Sequence, residues 1–477
     1  MDKQSQHPAQ HRATRRPEAL AAWRRRLLPW LLTLLVLCLP AATAFGAEDP
    51  GACPVGLYRL AGGQIVDIGA ASGGALRWRR LDGATGRLTA SPQGWLSSYG
   101  WTGRPDGLRV TFAACAPATP GAATIAFGKA PGRRIALPTV ETTFVSRGAR
   151  LTGRLVLPPG AGRVPIVVLL QGSEHTSARD FDALQRLLPA MGVGAFVYDK
   201  RGTGASDGAY TQDFSLLADD AVAALAEARR LAGPRAGRIG FQGPSQGGWI
   251  APIAATRSNP DFIIISFGLA ISVIDEDREA VVLQMRLKGH SPDEIAKALE
   301  VAGAAETLFE SGFTEGFEAF DAVRAKYRDE PWYKDVQGDF TFALLGLTAD
   351  EMRAQAPNFR WNTPFRYDPM ATIAAVRAPQ LWILGGLDLE APSGETSRRL
   401  KTLIAQGRPI TLALYPSAEH GMTEFETAPD GERLSTRYAE GYFRMMGDFA
   451  RDGRLRGAYG VARISGVGAS GRHSGRN

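Results

Sequence analysis

Between positions 238 and 250 the chain runs Arg-Ile-Gly-Phe-Gln-Gly-Pro-Ser-Gln-Gly-Gly-Trp-Ile: an apolar strand pattern, a glycine-flanked turn carrying Ser245, and the start of a helix pattern, with no linker between them. A serine on so sharp a strand-to-helix turn holds strained backbone, which is tolerated where the flanking residues lack a Cβ. Its hydroxyl then stands at a helix N-terminus, where unpaired N–H groups and the helix dipole favour developing negative charge. The stretch requires a strand and a helix packed side by side and makes Ser245 the candidate nucleophile. A second Gly-x-Ser-x-Gly match, at residues 204–208 around Ser206, follows a polar strand end with no helix pattern directly after it, and reads as a loop.

Around this turn, strand-like runs recur at residues 143–145, 151–157, 164–170, 194–198, 238–241, 262–267, 380–384 and 410–415. Helix patterns lie between most of the later ones, for example at 181–191, 216–231 and 393–405, with another at 432–449. Near-continuous apolar strands alternating with amphipathic helices mean a mostly parallel sheet covered on both faces. A long insertion, residues 271–377, holds several further helix patterns and many aromatic residues, and reads as a cap over the sheet's ligand edge. Residues 48–136 have a different rhythm, short strands between Gly and Asp turns, and predict a small all-β domain. Its Trp95 and Trp101 could stack on a ligand; packing in a small core is the favoured reading. Residues 128–138 read as a linker, and the Gly-, Ser- and Arg-rich tail 454–477 as a segment without fixed structure.

The first 44 residues read as a secretory signal: a basic leader, Arg24-Arg25-Arg26, an apolar run at 27–39, and the small-residue pattern Ala42-Thr43-Ala44. The apolar run is short for a membrane span. The segment carries seven Lys and Arg against Asp2 and Glu18, which is +5 of the chain's +7, so the remainder is near neutral at +2. That removes the electrostatic case for nucleic-acid binding. Cys53 and Cys115 remain as a possible disulfide, in keeping with a periplasmic or secreted protein. No Cys-His pattern has metal-site spacing, and neither a metal nor a cofactor is expected.

Five motifs in order resemble the α/β-hydrolase superfamily over residues 140–453, and within it bacterial exported hydrolases of acyl esterase and serine-aminopeptidase-like kinds. They are Leu157-Pro158-Pro159 leading to residues 167–173, residues 198–206 (Tyr-Asp-Lys-Arg-Gly-Thr-Gly-Ala-Ser), the Ser245 turn, residues 384–392 (Leu-Gly-Gly-Leu-Asp-Leu-Glu-Ala-Pro), and His420-Gly421. The resemblance implies an eight-stranded sheet with the hydrolase domain spanning residues 137–453. The chain departs from the family at Gln171, where His usually precedes Gly, and at Glu174, where Gly is frequent.

A serine hydroxyl needs an adjacent base, usually a histidine oriented by a carboxylate. His420 follows the last of the eight strands after a short polar loop and is the expected base. His290 adjoins a helix-capping signature, His473 lies in the tail, and His175 is near enough to face substrate or to sit on a surface loop. Asp388 stands just past a strand and two glycines, where the resemblance also places the family acid; Glu390 is its rival. Serine, acid, histidine is the hydrolase order along a chain. Asp199 precedes the serine and is expected to brace the Arg201 loop. The oxyanion donors are expected to be the backbone N–H of Gln246 and that of Ser173 or its neighbour Gly172. The sequence therefore predicts a hydrolase that cleaves a carboxylic ester or related acyl bond of a small-molecule substrate through acyl-Ser245. The alternatives are a serine-aminopeptidase-like peptidase, which would need acidic residues of the cap, such as Asp329-Glu330 or Asp350-Glu351, to face the site and hold a free amine, and a non-catalytic protein binding cell wall or carbohydrate.

Overall fold

The computed structural model describes residues 53–113, 124–359 and 361–467. The expected signal segment, Cys38 and Cys115 lie outside them. Eight antiparallel strands, from Gly56–Leu60 to Ala130–Arg134, pair in sequence order and close into a barrel. Alternation along the strands turns Tyr58, Val66, Ile68, Trp78 and Val110 into its core. The stretch at 128–138 is not a simple linker. Closing the barrel requires an eighth strand, and the Pro-Gly-Arg-Arg run supplies it: Tyr58 lies opposite Arg134, and Ala61 N donates to Pro131 O (2.7 Å). Trp95 packs against the barrel core, and Trp101 lies edge-on to Tyr438 at 5.4 Å with the Arg77 guanidinium 4.0 Å from its ring.

The second body is built on a nine-stranded sheet. In spatial order its strands are Arg463–Gly466, Ile410–Tyr415, Gln380–Gly385, Ile263–Ser266, Ala236–Pro244, Val164–Leu169, Gly194–Tyr198, Ala149–Val156 and Thr139–Ser146. The six from Ile410–Tyr415 to Gly194–Tyr198 run parallel, and the outer ones antiparallel. Helices Phe214–Ala232, Gly247–Ser258 and Ser393–Ala405 cover one face, and Leu184–Ala190 with Tyr442–Asp452 the other. The Asp213 side chain caps the first of these helices at Leu216 N.

The ninth strand corrects the expectation of a structureless tail from residue 454. Arg463–Gly466 pairs antiparallel with Ile410–Tyr415, covering a sheet edge that would otherwise present unpaired backbone groups. The insertion between Ile263–Ser266 and Gln380–Gly385 is helical, with its own core around Val301, Leu308, Phe320, Trp332 and Met352. Barrel and sheet body meet through Asp67: its buried carboxylate pairs with Arg79 of the barrel (3.3 Å) and with Arg186 of Leu184–Ala190 (2.5 Å). Among the described residues no helix is long and apolar enough to cross a membrane.

Candidate active site

The parallel strands deliver their carboxyl ends to one edge, and every predicted site residue lies just beyond one of them. Ser245 follows Ala236–Pro244 with φ of 47°, left-handed backbone that costs a side chain about 1–3 kcal/mol. The turn is held by Ser245 N donating to Ser266 O (3.0 Å) and Gly248 N donating to Ser245 O (2.7 Å). A Cβ on Gly243 would collide with the Gly247 carbonyl, and one on Gly248 would reach 2.8 Å from Gly268 Cα. The glycines thus let the turn fold back on itself and let the helix sit against the next strand. At the start of Gly247–Ser258, the N–H of Gln246 has no intrahelical acceptor.

Asp388 is buried beyond Gln380–Gly385. Its Oδ1 accepts from Glu390 N (3.0 Å) and Ala391 N (2.8 Å), and its Oδ2 lies 3.0 Å from His420 Nδ1. The other imidazole nitrogen, Nε2, is 3.4 Å from Glu390 Oε1, and the ring stands edge-on to Phe267 at 4.7 Å. Burial opposes the imidazolium, but the carboxylates of Asp388, Glu390 and Asp339 outweigh it and raise its pKa to about 9. Among the described residues Ser245 Oγ has no hydrogen-bond partner.

Ser206, in the second Gly-x-Ser-x-Gly match, is a loop fastener. Its Oγ donates to Asp199 O (2.6 Å) and accepts from Thr152 N (2.9 Å). Asp199 braces that loop through Ala205 N and holds Ser177 Oγ, while Arg201 pairs with Asp220 instead. His175 stacks on Tyr210 at 3.6 Å, and burial followed by the charge of Lys200 lowers its pKa. His290 lies 3.0 Å from Asp335, beside the capping box of Ser291 and Glu294.

Two cavities flank the loop at residues 171–176. The larger, about 310 Å³, is lined by Gly172, Pro244, Phe267 and Gly421, by the aromatic side chains of Phe181, Tyr438, Tyr442 and Phe443, and by Arg79 from the barrel, but not by Ser245. The smaller, about 220 Å³, holds Ser245 together with Gln246 and Ser173. The cap provides its apolar wall through Phe309, Phe340, Trp361 and Phe365. Trp332, by contrast, is buried in the cap's own core. The same cavity carries Glu276, Asp339 and Glu390, residues that sequence reasoning passed over except for Glu390. Asp329-Glu330 and Asp350-Glu351 do not line it. Glu276 is 8% exposed and has no side-chain partner among the described residues; burial and then Asp339 and Glu390 push its pKa well above the carboxylate range. Asp339 lines the cavity with part of its surface open to solvent; desolvation of its carboxyl group, then Glu390 and Asp277, raise its pKa to about 7. Among the described residues no group of three metal-ligating side chains occurs.

A parallel sheet covered on both faces, a serine turn after its central strand and a helical cap before the next-to-last parallel strand define an α/β-hydrolase enzyme. The family model described as serine aminopeptidase, S33, matches residues 163–428, more than half of the chain, and the protein belongs to that family. Among solved structures, an esterase from Pyrococcus furiosus is 13% identical, with 60% of this chain and 84% of that one covered and a TM-score of 0.38. An acylaminoacyl peptidase from Pyrococcus horikoshii is 15% identical, with 80% and 55% covered and a TM-score of 0.38. A hypothetical protein from Pseudomonas aeruginosa is 18% identical, with 66% and 93% covered and a TM-score of 0.37. No curated protein matches in sequence.

Proposed function

We propose that the protein hydrolyses a carboxylic ester or related acyl bond through an acyl-Ser245 intermediate. His420 Nε2 takes the Ser245 proton as Oγ adds to the acyl carbon, and Asp388 holds the imidazole by Nδ1 and balances its charge. The carbonyl oxygen becomes an oxyanion between the N–H groups of Gln246 and Ser173, donors fixed by the helix start and the loop before they are needed. The imidazolium then passes its proton to the departing oxygen or nitrogen, and a water molecule repeats the sequence to release the acid. The observation that supports this reading most is the left-handed Ser245 turn opening into a capped cavity, with an Asp388–His420 pair on neighbouring strand ends.

A second reading is favoured by a separate observation, the three carboxyl groups in the Ser245 cavity. Crowded acids that repel one another gain from an entering cation. A substrate bearing a protonated amine near its acyl carbon would supply one, which makes an aminoacyl ester, amide or short peptide the favoured form of the acyl donor. The apolar wall would take its side chain. Purified protein assayed on aryl esters of graded length, on aminoacyl-naphthylamides and on their N-acetylated counterparts tests both readings. Turnover of the free-amine compounds far above their acetylated forms is expected. Equal turnover of the two would remove the amine reading and leave the esterase one, and no turnover of any would count against both.

A further inference from the structure

The loop at residues 171–176 departs from its family at Gln171, and the structure places that departure in a network ending on a buried lysine. Gln171 Oε1 accepts from Lys200 N (2.8 Å), and Gln171 Nε2 donates to Thr176 O (2.9 Å), so one amide side chain ties the loop across its base. The Lys200 side chain runs inward from the end of Gly194–Tyr198. The residue is 4% exposed, its Nζ donates to Gly172 O (2.8 Å), and the ammonium lies 4.7 Å from the Tyr210 ring centre. Burial draws its pKa down to about 8, with Glu174 only partly opposing. A charge kept where water does not reach it is costly unless its contacts serve a purpose.

The contact with Gly172 O has a geometric consequence. That oxygen and the N–H of Ser173 belong to one planar peptide group, and the group is trans. In such a group C=O and N–H point in opposite directions, so a bond that fixes the carbonyl also fixes the amide hydrogen. Ser173 lines the Ser245 cavity, and Gly172 faces the neighbouring one. The next carbonyl, Ser173 O, is held in turn by Tyr210 OH (2.6 Å), which also accepts from Gln212 Nε2 (3.2 Å). The peptide group follows a glycine, whose wide conformational range would let it rotate were neither carbonyl anchored.

We propose that Lys200 is a positioning residue for the oxyanion hole: by holding Gly172 O it aims the Ser173 N–H at the oxyanion formed on Ser245. This rests on the acyl-serine reading above. Lys200→Met keeps the stem and removes the donor, while Lys200→Arg restores one. With rates expressed per fluorophosphonate-titrated site, Lys200→Met is expected to lower kcat about 100-fold, the loss that follows removal of one oxyanion donor, with KM within threefold. An arylboronic acid, which adds to the serine and places an oxygen in the hole, should lose affinity by a similar factor, and Lys200→Arg should recover most of both. If Lys200→Met does not fold, Tyr210→Phe serves, with an expected tenfold loss in kcat and a parallel loss of boronate affinity. Boronate affinity that stays unchanged per active site while kcat falls, or a kcat within threefold of the parent, overturns the proposal. Turnover that survives Ser245→Ala would instead sink the acyl-serine reading, whatever Lys200 does.

Discussion

Glu390 Oε1 stands 3.4 Å from His420 Nε2, the nitrogen that takes the Ser245 proton in the acyl-serine reading proposed above, while Asp388 Oδ2 stands 3.0 Å from Nδ1. An imidazole with a carboxylate at each nitrogen favours the doubly protonated form, and its pKa is raised to about 9. Catalysis needs the neutral ring, so on the acyl-serine reading activity should rise as pH climbs toward that value. Glu390→Gln removes one of the anions that raise the pKa, so the base form appears at lower pH. The acid limb of the kcat/KM profile should move down by about one pH unit, with the plateau largely kept. An unmoved limb would show that Glu390 does not govern the titration.

The two serine turns make competing claims that point changes separate. Ser245→Ala is expected to abolish turnover and fluorophosphonate labelling, whereas Ser206→Ala should keep labelling, since Ser206 is tied to Asp199 O and Thr152 N. Asp388→Asn should lower kcat by up to about 10⁴-fold by holding the wrong tautomer. His420→Ala should cost as much as loss of the serine, because residues that act as one unit give non-additive losses. Labelling lost with Ser206→Ala but kept in Ser245→Ala would reverse the assignment.

What could be read from the chain alone was local. The Ser245 turn is written in consecutive residues, because close approach of backbone at Gly243 and Gly248 forces glycine there. Asp388 and His420 each follow an apolar strand within a few residues, so strand ends were enough to single them out as candidates, and the structure brings their side chains within 3.0 Å of each other. Glu276 and Asp339 carry no such mark. They lie 63 residues apart, on a helix and a turn of the insertion, and only the folding of the cap over the sheet brings them beside Ser245. The strands Ala130–Arg134 and Arg463–Gly466 were missed for a related reason: pairing with a partner already in place overrides a composition that reads as loop.

The carboxyl group of Glu276 gives the amine reading a direct test. Glu276→Gln preserves shape and removes the charge that the residue could offer a bound cation. On free-amine substrates KM should rise about tenfold, the scale of one lost partly buried charge contact, and on neutral aryl esters it should hardly change. Equal effects on both substrate classes would argue that Glu276 only shapes the cavity.

Export and the pairing of Cys53 with Cys115 are proposals carried by the sequence. Protein recovered from periplasm or medium should begin near Phe45, and both thiols should resist alkylation until reduced. Chain retaining Met1 with two reactive thiols in the cytoplasm would contradict both.

Asp67 links the barrel to the catalytic body, and its removal should be felt as lost stability. The carboxylate is fully buried between Arg79 and Arg186, each about nine-tenths buried. Asp67→Asn leaves two neighbouring guanidinium groups without their anion in a site that water does not reach, and uncompensated buried charge typically costs about 3–5 kcal/mol. Replacing all three with apolar residues of similar size should cost much less, because no charge is then left unpaired. The two variants are compared by denaturant unfolding. Asp67→Asn should shift the midpoint markedly downward, and an exposed pair such as Arg104 and Glu426, which also spans barrel and sheet body, should barely matter when broken. A midpoint unchanged by Asp67→Asn would mean that the barrel is held by its apolar contacts and Trp101 rather than by this ion triad.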